Sequence, residues 1–233
     1  MMDCRTIQVV GKDILLYRFI FDPVKSNMYI ITNEGEAIVI DPNDNKEGIE
    51  FLHNSKIDKI HLLLTHEHYD HTLGINIFRR EFKDVDLFCQ KEAAKSIENP
   101  RRNHPKFVAF VLAVQDLKDG GHRYDDFNAH YKAFESYADS FFEEECVKEI
   151  AGLKFHFVHT PGHCPGSCCI EFGNNIFTGD SLLEDVPVVL RFPESNKDDY
   201  NRITLPYLRS LSPFDRVFPG HGNSFFIENS LFL

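Results

Sequence analysis

The sequence predicts an α/β protein whose strands and helices stack in layers. Three observations carry that expectation: short strands crowd the first forty residues, a strand with an apolar centre feeds a histidine-rich loop, and strands alternate with helices on either side of it. Thr6 to Val10, Ile14 to Phe21, Met28 to Thr32 and Ala37 to Ile40 are separated by Gly11-Lys12, Asp22-Pro23 and Glu34-Gly35, so they read as an antiparallel meander. Lys46 to Asn54 reads as a short helix, and Lys59 to Thr65 is apolar enough at its centre to be covered on both faces. A helix (Thr72 to Phe82), a strand (Val85 to Cys89) and a helix (Lys91 to Glu98) follow, up to the break at Asn99-Pro100. Strands return at Lys154 to Thr160, Ser167 to Phe172 and Asn175 to Thr178. A helix around Asp198 to Leu211, which Pro206 should kink or interrupt, then leads to a last strand, Arg216 to Phe218.

The 233 residues are expected to form one domain, 1–233, because no repeat, low-complexity tract or flexible linker divides them. Hydrophobic residues make up 42% and charged residues 26%, a globular balance rather than a disordered one. The formal charge of −11 and the lack of a basic run argue against a nucleic-acid partner. No apolar stretch approaches the ~18–20 residues that span a bilayer, and the N-terminus lacks a secretory pattern, so no membrane is expected and the expected location is cytoplasmic. The six cysteines (Cys4, Cys89, Cys146, Cys164, Cys168, Cys169) form no C-x-x-C pair and are expected to be reduced.

Residues 101–145 stand out as a helical insertion. Tyr124, Phe127, Tyr131, Phe134, Tyr137 or Ala138, and Phe141 recur at three- and four-residue steps, placing an aromatic stripe on one helix face. Such a stripe would serve as core packing, as a homodimer interface, or as a lid. In the lid reading Phe127, Tyr131 and Phe134 contact the substrate and favour an acyl chain or ring.

The chemistry concentrates in Thr65-His66-Glu67-His68-Tyr69-Asp70-His71, directly after the buried strand. In extended backbone residues two apart point the same way, so His66 and His68 can close on one ion while the turn beyond aims Asp70 and His71 at another. Three further candidates stand where strands end in glycine turns: His163 after Pro161-Gly162, Asp180 after Gly179, and His221 between Gly220 and Gly222. Imidazoles and carboxylates suit zinc, iron or manganese. The remaining histidines, His53, His61, His104, His122, His130, His156 and His159, are expected to be solvated or hydrogen-bonded.

This set resembles the metallo-β-lactamase superfamily, whose H-x-H-x-D-H motif is followed by a separate histidine, a bridging aspartate and a final histidine in this order. The resemblance runs from Asn27-Met28-Tyr29-Ile30 to His221 and implies a four-layer αββα sandwich. It implies that His66, His68 and His163 hold one divalent ion and Asp70, His71 and His221 a second, with Asp180 bridging them. Zinc is the expected metal, with iron or manganese as alternatives. Asp41 looks like the family's acidic residue behind the metals. The implied reaction is hydrolysis of a small molecule by a hydroxide between the ions, with Asp70 or Asp180 moving the proton.

True β-lactamases of the family usually carry cysteine or serine at the Asp180 position, so the resemblance points to a thioester or lactone. The Thr178-Gly179-Asp180-Ser181-Leu182 run is similar to the glyoxalase II branch, whose helical glutathione-binding domain would follow His221, where this sequence has only a dozen residues. A β-lactam hydrolase and a persulfide dioxygenase-like oxygenase, with a single iron on His66, His163 and Asp180, are the alternatives.

Overall fold

The computed structural model describes residues 3–9, 12–57 and 59–233. The Val10 end of the first strand and the Gly11 turn lie outside the described residues, as does the Cys4 side chain. Two mixed sheets face each other. The first holds β1 (Asp3–Val9), β2 (Lys12–Phe21), β3 (Ser26–Asn33), β4 (Glu36–Ile40), β5 (Lys59–Leu63), β6 (Asp84–Gln90) and β7 (Ser140–Phe142), in that order across the sheet. β1 to β4 form the expected antiparallel meander, and β4 to β7 pair parallel. The second holds β8 (Glu145–Ile150), β9 (Leu153–His159), β10 (Cys168–Phe172), β11 (Asn175–Gly179), β12 (Arg216–Pro219) and β13 (Phe225–Phe226), antiparallel except where β11 meets β12.

The helices are α1 (Lys46–Asn54), α2 (Tyr69–Thr72), α3 (Ile75–Glu81), α4 (Lys91–Ile97), α5 (Lys106–Asp119), α6 (Arg123–His130), α7 (Lys197–Asp199) and α8 (Leu205–Ser210). Strand alternation sorts the buried residues into layers. Ile31, Ile38, Leu63 and Phe88 of the first sheet meet Phe155, Phe157, Ile170 and Phe177 of the second between the sheets. Their neighbours Ile30, Val39, Leu62 and Leu87 pack outward on Leu52, Ile75, Phe78 and Ile97 of the helices. On the far side Cys169, Ile176 and Val217 pack against Tyr200 and Leu208. The result is the αββα sandwich, and Cys168 and Cys169 are ordinary buried residues facing opposite layers.

Two helical expectations are corrected. The helix expected from Thr72 begins earlier, at Tyr69, and breaks at Leu73-Gly74, where the Gly74 amide donates to the Pro42 carbonyl and a Cβ would collide with the Asn43 carbonyl. The aromatic stripe does not lie on one helix. α6 ends at His130, residues 131–139 run without regular structure, and Phe141 belongs to β7. That irregular stretch finds its partners in the tertiary structure: the Tyr69 hydroxyl donates to the Lys132 carbonyl, Asn76 to the Glu135 carbonyl, and the Ser136 amide to the Ile97 carbonyl. Pro206 sits in the first positions of α8, directly after a π-helical turn, Tyr200–Thr204, that interrupts the expected helix.

Candidate metal centre

All seven predicted ligands sit at one end of the sandwich, where β5, β9, β11 and β12 run out. His66 and His68 follow β5, and Asp70 and His71 occupy the single turn of α2. His163 follows β9, Asp180 follows β11, and His221 follows β12, where it bridges to Ser26 at the start of β3. Two glycines let these loops converge. Gly179 has φ of +51°, and a Cβ there would collide with the Thr65 hydroxyl; a Cβ at Gly220 would collide with Asp180 Oδ1.

Asp180 lies among four histidines. Its Oδ2 is 3.6 Å from His163 Nε2, 3.5 Å from His221 Nε2 and 4.0 Å from His66 Nε2, and its Oδ1 is 3.7 Å from His71 Nε2. Asp70 Oδ2 is 3.4 Å from both His71 Nε2 and His221 Nε2, and His68 Nδ1 is 3.0 Å from His163 Nε2. One group of candidate donors is therefore His66, His68, His163 and Asp180, and another is Asp70, His71 and His221. Asp41, His66 and His71 also come close, but both Asp41 oxygens are engaged. Oδ1 accepts from the Thr65 amide at 2.7 Å, and Oδ2 accepts from the Thr65 hydroxyl at 2.6 Å and faces His71 Nδ1 at 3.1 Å. Asp41 thus stands behind the cluster and leaves His71 Nε2 for its centre.

Four histidines are oriented through Nδ1. That atom meets the Thr65 hydroxyl in His66, Asp41 in His71, the Val189 carbonyl in His163 and the Val24 carbonyl in His221. The inward atoms His66 Nε2, His71 Nε2 and Asp180 Oδ1 are buried without a hydrogen-bond partner, a costly arrangement unless something else satisfies them.

The charges agree with a cation site. Burial drives His66 far below its ordinary pKa, lowers His68 to about 3 and lowers His163, so these three imidazoles are neutral. Burial opposes ionisation of Asp70 and Asp180, but His71 and His221 hold the Asp70 carboxyl well below the usual range, and His221, His71 and His163 lower that of Asp180. Burial likewise opposes charge on His71 and His221, and the two carboxylates overcome it and raise both. Three neutral imidazoles, two ionised carboxylates, and two further imidazoles whose protons a cation would displace are a donor set that fits two divalent ions.

The centre opens into a cavity of about 330 Å³. Phe192, on the segment between Asp180 and α7, closes over the histidines, with its ring 5.1 Å from His68 and 5.8 Å from His163, and it meets Phe107 at 5.5 Å. The insertion borders this cavity, though not through the expected residues. Phe107, Val108 and Val111 of α5 form the wall, with Arg101, Arg102 and Lys106 beside them. Phe127, Tyr131 and Phe134 do not line it. Phe127 is 3% exposed and packs with Phe21, Tyr69 and Leu112, while Tyr131 and Phe134 lie against that cluster. Phe127 and Tyr131 border a separate hollow near Asp22 and Lys25.

Sequence reasoning also passed over Glu67, which is buried between two candidate ligands. Its carboxylate accepts from the Gly166 amide and the Cys164 thiol, tying the loop after β5 to the loop after β9. Burial, countered by these bonds, raises its pKa. A charged residue between two histidines was the available signal. Nothing local to Phe192 marked it.

Residues 21–221 match the family described as the Metallo-beta-lactamase superfamily. The chain is 27% identical to a probable metallo-hydrolase of Streptococcus pyogenes serotype M6 over 212 residues, 90% of this chain and 84% of that protein. It is 22% identical to hydroxyacylglutathione hydrolase 1 of Vibrio vulnificus over 198 residues, 85% of this chain but only 62% of that longer protein. Among solved structures, TTHA1623 in a di-iron-bound form superposes with a TM-score of 0.68 at 20% identity, covering 93% of this chain and 99% of that one, which shows the shared fold. No described helix is long and apolar enough to cross a membrane. A match over most of the chain, on a sandwich whose loops gather these seven side chains, makes the protein a member of the metallo-β-lactamase superfamily of metal-dependent hydrolases.

Proposed function

We propose that the chain is a two-metal hydrolase of a small carbonyl substrate, a thioester or a lactone. The observation that carries this reading is the position of Asp180, within 4.0 Å of histidines from both donor groups, where one carboxylate can serve two cations. His66, His68 and His163 would hold one ion, Asp70, His71 and His221 the other, and Asp180 both. Zinc suits this set of five imidazoles and two carboxylates, and iron or manganese would also bind it. When bound, two such ions acidify a water toward neutral pH and polarise a carbonyl.

The chain's own residues do the rest. Asp41, Thr65 and the Val24 and Val189 carbonyls fix the imidazoles, so little reorganisation is needed as substrate arrives. Phe192 and Phe107 exclude water from one side of the cavity. Asp70 Oδ2 and Asp180 Oδ2, ionised and facing the cavity, are the groups able to take a proton and pass it to the leaving atom. The curated relatives named as hydroxyacylglutathione hydrolase support a thioester. The test is to load the purified chain with zinc or iron, count the bound ions, and assay thioester, lactone and β-lactam panels. Thioester or lactone hydrolysis that requires two ions per chain is expected. One ion with oxygen consumption would replace this reading by the oxygenase.

A further inference from the structure

Resting on the two-metal hydrolase reading, we infer that Arg101 and Lys106 form an anion-binding rim on the active-site cavity, so that the preferred substrate carries a carboxylate or similar anion beyond its scissile carbonyl. The chain has a net charge of −11, yet Arg101-Arg102-Asn103-His104-Pro105-Lys106 contains three cations and no acid. The fold brings these cations to the cavity that holds His68, Asp70 and Asp180. Arg102 already has a partner, Glu194, at 3.3 Å across the mouth. Arg101 and Lys106 meet no carboxylate within ion-pair range among the described residues, so their charge is available to a ligand.

The surroundings strengthen the field they make. Lys106 begins α5, a 14-residue helix with no acidic residue in its first turn and no side-chain cap, so the helix dipole adds positive potential at the same place. Phe107, Val108 and Val111 lower the local dielectric beside the cations, which makes an arriving anion less screened than at open surface. The carboxylates on this wall are accounted for: Glu67 by Gly166 and Cys164, Glu194 by Arg102, and Asp70 and Asp180 by the histidines. A substrate fitting this cavity would place its carbonyl at the centre, an apolar body along Phe107 and Phe192, and its anion at Arg101 and Lys106. The anion could be carried on the acyl part or on the leaving thiol, and the two are separable.

The test uses the metal-loaded protein and paired thioesters. Succinyl and butyryl N-acetylcysteamine differ only in a carboxylate in place of the terminal methyl on the acyl side; the acetyl thioesters of 3-mercaptopropionate and 1-propanethiol make the same exchange on the thiol. At least one anionic member should have a kcat/KM about tenfold above its neutral partner, the usual gain from a charge-assisted contact. That preference should shrink with added salt and fall toward one in the R101Q/K106Q double variant. A ratio near one in both pairs, or one the double variant leaves unchanged, overturns the inference. Calorimetry with succinate and butyrate, each offering one carboxylate to the metals, keeps the two readings apart. Tighter binding of succinate that the double variant abolishes supports the rim even if neither thioesters nor lactones are cleaved, which would overturn the hydrolase reading alone. Equal binding of the two acids counts against the rim whatever the hydrolysis result.

Discussion

Histidines meet carboxylates in two kinds of place in this protein, and the contrast shows what separates a structural histidine from a candidate ligand. On the first sheet His61 of β5 is flanked by Glu36 of β4 and Asp86 of β6, with both ring nitrogens 2.6 Å from carboxylate oxygens. On the second sheet His156 of β9 sits the same way between Glu145 and Glu171, at 2.7 and 3.0 Å. Each of these rings is fully satisfied by its neighbours. In the cluster at the sandwich end His66 and His71 are held by one nitrogen only, and the other is buried without a partner. Composition does not distinguish the two kinds; for His66 and His71 the deeper burial and the unpartnered inward atom do.

Removing the carboxylate shared by both donor groups breaks the contrast most severely. Asp180→Ala should abolish tight binding of both ions and lower kcat/KM by ~10³-fold or more, at least as much as losing a single preorganised electrostatic group. Metal analysis alongside kinetics checks this, and a variant that keeps two ions and its rate would show that Asp180 is no bridge. A smaller effect is expected one layer back. Asp41 has φ of +56°, a conformation asparagine tolerates, so Asp41→Asn should fold while weakening its hold on Thr65 and His71. Metal affinity should fall by ~10–100-fold, measured by competition with a chelator.

The structural histidines should behave in the opposite way. Burial opposes charge on His61, but the hydrogen bonds its ring donates to Asp86 and Glu36 outweigh it and raise its pKa. Because the folded value is raised, the stabilisation is complete below about pH 6.5 and is lost as pH rises through the folded pKa. Glu36 and Asp86 are lowered, so their share is present above about pH 4.5 and is lost as pH falls below it. His61→Gln should therefore cost about 1 kcal/mol or less near pH 5.5 and progressively less toward pH 8, with metal content unchanged. Chemical denaturation at the two pH values measures it. A variant that loses metal would erase the distinction between the two kinds of histidine.

The site was legible in the sequence because its donors lie in short local motifs: one loop supplies His66, His68, Asp70 and His71, and glycine turns flank the other three. The layered sandwich was legible for a similar reason, since strands such as Lys59–Leu63 are apolar on both faces only when covered on both. The cavity wall was not. Phe127, Tyr131 and Phe134 keep a helical spacing, but α6 stops at His130, and Tyr131 turns to donate its hydroxyl to Asp44. Asp44 is 87 residues from Tyr131, and the Lys132 carbonyl meets Tyr69 from 63 residues away, beyond the reach of any local period. Conversely the Arg101-Arg102 pair was plain in the sequence, but nothing there showed that the turn before α5 would bring it to the cavity of the candidate site.

The number of metal ions bound per chain separates a two-metal centre built around Asp180 from any other. The protein should be stripped with a chelator, reloaded with zinc, and measured by elemental analysis beside Asp180→Ala and His61→Gln. Two ions per chain in the parent and in His61→Gln, with fewer than one in Asp180→Ala, is the predicted result. A single ion in the parent, or full loading of Asp180→Ala, would contradict it.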